Sequence, residues 1–190
     1  MKNLNSKLLK TVITAMLCAV AFVVATAPFL RFKPLAAAPF LTYEPKDVII
    51  LIGGSILGPI AAIAISVIVA FIEMITVSSS GWIGFFMNVV SSVAFVLPAT
   101  LIYKKSKNMG SALIGCLIGM IFMTAAMVLW NYILTPIFMG WPRSSIVEMI
   151  VPILIPFNLI KSGINSVAFI LLSTPIFRAL KKSNLLDKFI

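Results

Sequence analysis

The chain has 190 residues, is 61% hydrophobic, and carries a mean hydropathy of +1.14 and a formal net charge of +10. Soluble domains hold roughly 45–50% apolar residues, so an aqueous globular core is excluded and lipid is the solvent for most side chains. Nucleic acid is excluded as a partner too, because the cations cluster beside apolar segments instead of covering a soluble face.

Backbone groups in lipid must be satisfied internally, by helices or by a closed barrel, and the period-2 alternation of a barrel is missing. The expectation is an all-α integral membrane protein, a single domain over residues 1–190 with six transmembrane helices. The first runs from about Leu8 to Leu30 behind Lys2, Lys7 and Lys10. It exceeds the 7–15-residue core of a signal peptide and reads as a retained span. Ala15-x-x-x-Ala19 and Ala21-x-x-x-Ala25 put small residues four apart, the spacing that lets another helix approach closely. They suggest docking to a second membrane subunit.

Three prolines between Arg31 and Pro45 forbid a continuous helix there. This segment is too apolar for a free loop, so it is expected to fold down onto the bundle. Tyr43 and Glu44 are candidate lid residues, although a plain structural loop fits equally. Lys46 to Leu57 forms a short helix ending at Gly58-Pro59. Its twelve residues rise only about 18 Å, against a hydrocarbon core of about 30 Å, so it starts below the outer surface. Residues 60–77 return outward with Glu73 near the end, where Lys33, a lipid headgroup or a ligand could pair with it.

Trp82 follows as an interfacial anchor. The fourth helix, 83–103, carries Asn88, Ser91 and Ser92 and ends in Lys104, Lys105 and Lys107. The fifth, 111–134, places Trp130, Asn131 and Tyr132 near its outer end. An aromatic connection, Thr135 to Arg143, leads to a short helix over Ile146–Ile155. The sixth helix, 157–180, finishes among Arg178, Lys181, Lys182 and Lys188. The positive-inside rule puts every lysine cluster, and both termini, in the cytoplasm.

Chemistry is tightly restricted. Histidine is absent, and Cys18 and Cys116 fall in apolar segments, which argues against zinc and disulfides. Five acidic residues, Asp187 of the tail among them, offer no constellation for an intramembrane enzyme. No cofactor is expected. Glycine-rich phosphate loops are missing too, so the chain cannot hydrolyse ATP by itself.

One residue breaks the apolar pattern most sharply. Lys161 stands within Pro156-Phe157-Asn158-Leu159-Ile160-Lys161-Ser162-Gly163-Ile164-Asn165. A charge at bilayer depth costs about 2.5–3.5 kcal/mol even on the lenient insertion scale. Asn158, Lys161, Ser162 and Asn165 recur at helical spacing and share a face. Snorkelling to the headgroups would explain Lys161 but not the asparagines. With Asn131 and Asn88 at the same depth, and Trp130, Tyr132, Phe138 and Trp141 nearby, the set suits a planar heterocycle rich in carbonyl and N–H groups. Interhelical hydrogen bonding is the alternative for any single asparagine.

Four segments also resemble one known family: Tyr43-x-x-x-Asp47-Val48, Leu57-Gly58-Pro59, Asn131-Tyr132 and Pro156-Phe157-Asn158-Leu159-Ile160-Lys161. The chain resembles, over nearly its whole length, the riboflavin-binding branch of the substrate-binding S components of energy-coupling factor (ECF) vitamin transporters. The resemblance implies a six-helix S-component bundle that takes riboflavin, or FMN, from outside. It implies delivery inward with the coupling subunit EcfT and two ATPases. Asn131, Asn158 and Lys161 would contact the flavin, Tyr43 and its loop would close over it, and Ala15 and Ala19 would meet the coupling subunit. Asp47-Val48-Ile49 departs from the family's usual Asp-Val-Pro. Asn165 and Glu73 rest on the residue argument alone. A stand-alone permease, or an S component for another vitamin, stays open.

Overall fold

The structure is a computed structural model that describes residues 2–182; Asp187 and Lys188 of the basic tail lie outside the described residues, as does the side chain of Lys2. The elements are α1 (Lys2–Thr26), α2 (Lys46–Leu57), α3 (Pro59–Thr76), α4 (Gly81–Ser106), α5 (Met109–Met139), α6 (Arg143–Met149), a π-helical turn (Ile150–Leu154) and α7 (Ile155–Lys182). The described residues form no strand beyond an isolated bridge between Phe32 and Tyr43. Among the described residues, five helical stretches are long and apolar enough to cross a membrane: Lys7–Thr26, α3, α4, α5 and the continuous run Arg143–Lys182. Helix α2, with 12 residues, is too short to do so alone.

Three boundaries differ from the sequence expectation. Helix α1 stops at Thr26 instead of Leu30, because Pro28 disfavours the α conformation in the residue before it. Helix α5 does not end at Leu134 but continues through Pro136 to Met139. Proline is tolerated inside helices at membrane depth; here the stop is Gly140, whose φ of 67° is the left-handed conformation of a helix end. The expected break before Phe157 is also missing. The π turn contains Pro152, and Pro156 sits in the first turn of α7, so the widened backbone carries the chain past two residues that lack an N–H.

The bundle core gathers Ile50, Leu51, Ile65, Val69, Phe95, Met123 and Phe169. Helices α4 and α5 make the closest approach. A Cβ on Gly115 would stand 2.7 Å from Ala99 Cα, and one on Gly119 would run into the Phe95 carbonyl. This small-x-x-x-small pair brings two backbones together where lipid offers no hydrophobic driving force.

One end of the bundle is basic. Tyr103 and Phe177 stack there with centroids 5.7 Å apart, and Ser173 Oγ donates to Met109 Sδ at 3.7 Å. The cluster Lys104–Lys107 therefore shares an end with Lys181 and Lys182. At the other end, the segment after α1 is clamped down: Ala38 and Leu41 are buried against Ile146 and Leu154. Phe40 meets Trp141 edge-on at 6.0 Å.

The alanine pairs of α1 part company. Ala21 and Ala25 are fully buried against the protein's own bundle, whereas Ala15 and Ala19 are exposed. The expectation that both pairs serve an outside helix is corrected accordingly. Helical periodicity is the reason: residues 18, 21 and 25 form one stripe of α1, and residues 15 and 19 form another.

Candidate functional site

The end opposite the lysine clusters holds a cavity of about 340 Å³, within the range of small-molecule sites. Its wall draws on the segment after α1 (Arg31, Phe40, Glu44), α3 (Glu73), α4 (Asn88, Ser91), α5 (Asn131, Thr135) and α7 (Asn158, Lys161). Alternating helix direction explains the convergence: the carboxyl ends of α3 and α5 and the amino ends of α4 and α7 all point to this end.

Charge in the wall is organised by Lys46, which lies behind it and is 1% exposed. Its Nζ donates to Glu44 Oε2 at 2.9 Å and closely to Glu73 Oε2. Arg31 Nε pairs with Glu44 Oε1 at 3.1 Å, and Asn88 Nδ2 donates to Glu73 Oε2 at 2.6 Å. Glu73 is thus paired with Lys46, and not with Lys33, one of the three partners (Lys33, a headgroup or a ligand) that its position near a helix end offered. Burial pushes the Glu44 carboxyl up, but the fields of Lys46, Lys161 and Arg31 and the hydrogen bond from Lys46 outweigh it and hold it below the usual carboxylate range. Lys161 makes no hydrogen bond or close ion pair among the described residues and is 8% exposed, its ammonium left for the cavity.

Asn131 and Asn158 are held by their own helices. Asn131 Nδ2 donates to the Met127 carbonyl at 2.7 Å, and its Oδ1 accepts from Thr135 Oγ1 at 2.8 Å. Asn158 Nδ2 donates to the Leu154 carbonyl at 2.8 Å, which leaves its Oδ1 without a protein partner among the described residues. Each amide N–H bond runs back one turn, so the amides are fixed in orientation before any ligand arrives. Amide edges and an ammonium in a mostly apolar recess can read a donor–acceptor pattern on a flat ring.

The structure brings Asn88, Asn131, Asn158 and Lys161 to the cavity, but not Tyr43 or Asn165. Tyr43 Oη donates to Asn165 Oδ1 at 3.1 Å. Asn165 Nδ2 reaches Asp47 Oδ2 at 3.4 Å, and Ser92 Oγ donates to Asp47 Oδ1 at 2.6 Å. Asn165 is one helical turn deeper than Lys161, about 6 Å along the axis, and there it meets α2 instead of open space. Of the expected aromatics, Phe138 lines the cavity; Trp130 packs on Phe86, and Tyr132 lies under the Arg143 guanidinium. Phe40, Phe85 and Phe157 supply flat surface in their place. Sequence reasoning missed Arg31, Ser91 and Thr135. Ser91 had a signal, since it stands three residues after Asn88 and shares its face; Arg31 had none.

The model for the ECF transporter substrate-specific component matches residues 9–173. The chain is 31% identical over 188 residues to riboflavin transporter RibU of Staphylococcus aureus, covering 95% of this chain and 97% of that one. Riboflavin transporter FmnP of Bacillus subtilis is 28% identical over 176 residues, 87% and 90% of the two chains. A solved S component of a bacterial ECF transporter superposes with a TM-score of 0.77 at 30% identity, covering 92% of this chain and 99% of that one. The chain is therefore a multi-pass cell-membrane transport protein, and it belongs to the family of ECF transporter substrate-specific components.

Proposed function

We propose that this S component captures riboflavin, or its phosphate ester FMN, from outside and delivers it inward with EcfT and two ATPases. In this reading six helices cross or enter the bilayer, with α2 completing the bundle from a recessed start, and both termini face the cytoplasm. The observation that carries the reading is the cavity: amides of Asn131 and Asn158, the ammonium of Lys161 and flat aromatic surface meet at the end opposite the lysine clusters. Positive-inside orientation turns that end outward. The names of the similar riboflavin transporters supply the ligand, and the exposed Ala15 and Ala19 offer a face for the coupling subunit.

Purified protein should quench riboflavin fluorescence at one site per chain and emerge yellow from flavin-supplied cells. Colourless protein that leaves riboflavin fluorescence unchanged would remove the ligand from this reading. Liposomes decide the partners: uptake should require EcfT and both ATPases, and accumulation by the chain alone would make it a permease.

A further inference from the structure

Two buried side-chain polar atoms lack any partner among the described residues, Glu73 Oε1 and Ser91 Oγ, and both residues line the cavity. Glu73 is 3% exposed and Ser91 4%. Glu73 turns only one oxygen to the protein: Oε2 takes both Lys46 and Asn88, while Oε1 takes nothing. A buried acceptor left unmade costs more than its hydrogen bond contributes when made, so such atoms mark where a ligand donor completes the site. Asn88 and Ser91 are three apart on α4 and share a face, and the Asn88–Glu73 bond holds that face against α3. This wall is therefore rich in acceptors.

The opposite wall is different. Lys161 can only donate, so it suits a carbonyl, and Asn131 and Asn158 present amide edges beside it. A flavin ring edge, with carbonyls flanking an N–H, matches that wall. The same edge turned towards Glu73 would set carbonyl against carboxylate. Hydroxyl groups, which donate as well as accept, match the Glu73 wall.

Resting on the riboflavin reading, we propose that Glu73 and Ser91, with Asn88 as the positioning residue, form a hydroxyl-reading subsite for the ligand's polyol arm. Glu73 Oε1 and Ser91 Oγ accept from its hydroxyls, while the ring lies against α5 and α7. The subsite determines specificity for flavins that carry the polyol over those that lack it.

The test compares riboflavin with lumiflavin, which has a methyl group in place of the polyol. Affinities are read by fluorescence quenching on the purified full chain. Ser91→Ala removes one acceptor without touching the ion pairs and should weaken riboflavin about twofold to tenfold; Glu73→Gln should weaken it roughly tenfold or more. Neither should change lumiflavin affinity, so the preference of wild type for riboflavin over lumiflavin narrows in both variants. Equal losses for the two flavins would reduce Glu73 and Ser91 to structural residues, and unchanged affinity for both would remove them from the site. If Glu73→Gln does not fold, Ser91→Ala alone decides between these outcomes. Wild type that binds neither flavin overturns the riboflavin reading and the subsite with it; wild type that binds both, with no narrowing in the variants, overturns the subsite only.

Discussion

Lys46 and Lys161 are both cations buried in the bundle, yet their surroundings assign them opposite duties. Lys46 is ion-paired with two carboxylates, one of which it shares with Arg31. Removing one partner of a buried ion pair costs about 3–5 kcal/mol, because the other charge is stranded. Lys46→Met should therefore lower thermal stability by that order; a melting temperature equal to wild type would mean that Glu44 and Glu73 have found other partners. Lys161 has no such partner, and Glu44 keeps Arg31 and Lys46 without it. Lys161→Met should leave folding intact or improved, since an expensive charge has gone. It should weaken riboflavin by roughly tenfold to a hundredfold, as expected for a lost charge-assisted hydrogen bond of about 1.5–3 kcal/mol. Snorkelling predicts the reverse pattern, with affinity untouched and stability altered, and quenching titrations beside melting curves separate the two.

At the scale of elements, the segment after α1 lines the cavity and is held there by local contacts. Leu41 and Ala38 plug between α6 and the π turn, Phe40 leans on Trp141, and Arg31 ties back to Glu44. If the segment is a lid, it must lift for a ligand to load through this end, as gating loops do. A short crosslink between Phe40→Cys and Trp141→Cys should slow both loading and release; Cys18 and Cys116 are buried in the bundle and should react little. Equal exchange rates with and without the crosslink would leave the segment a connector. The α4–α5 seam is closed by backbone packing instead of by side-chain contacts. Gly119→Leu has no space beside the Phe95 backbone, and overpacking of this kind costs about 1–3 kcal/mol. The expected readout is a lower melting temperature, and wild-type melting would show that the seam can open freely.

For the whole molecule, the exposed stripe of α1 is where a partner helix would close. Ala15 and Ala19 lie on it with Val12, Met16 and Val23, all turned away from the bundle. Replacing both alanines with leucine should block close approach and abolish transport in the complex with EcfT and the ATPases. Riboflavin affinity of the isolated chain should stay unchanged, because the stripe and the cavity share no residue. Full uptake by the double variant would move the docking face elsewhere.

Hydropathy and charge are one-dimensional properties, so their consequences were legible in the sequence: lipid as solvent, helices as the dominant structure, the lysine clusters of the α4–α5 turn and the α7 end gathered together. The depth of Asn88, Asn131, Asn158 and Lys161 was legible for the same reason, since rise per residue places a side chain along its helix axis. Rotation about that axis, and the choice among neighbours, belong to tertiary packing. Nothing in the order of residues says that Lys46 takes Glu73, or that Tyr43 turns to Asn165 while Glu44 faces the cavity. Helix ends divided along the same line. Pro28 stops α1, but Pro136 and Pro156 are absorbed, because at membrane depth neighbouring elements can supply what a proline removes. The sequence by itself determined which groups are costly in lipid; only the packed bundle decided which of them satisfy one another and which, like Glu73 Oε1 and Ser91 Oγ, are buried without a partner among the described residues.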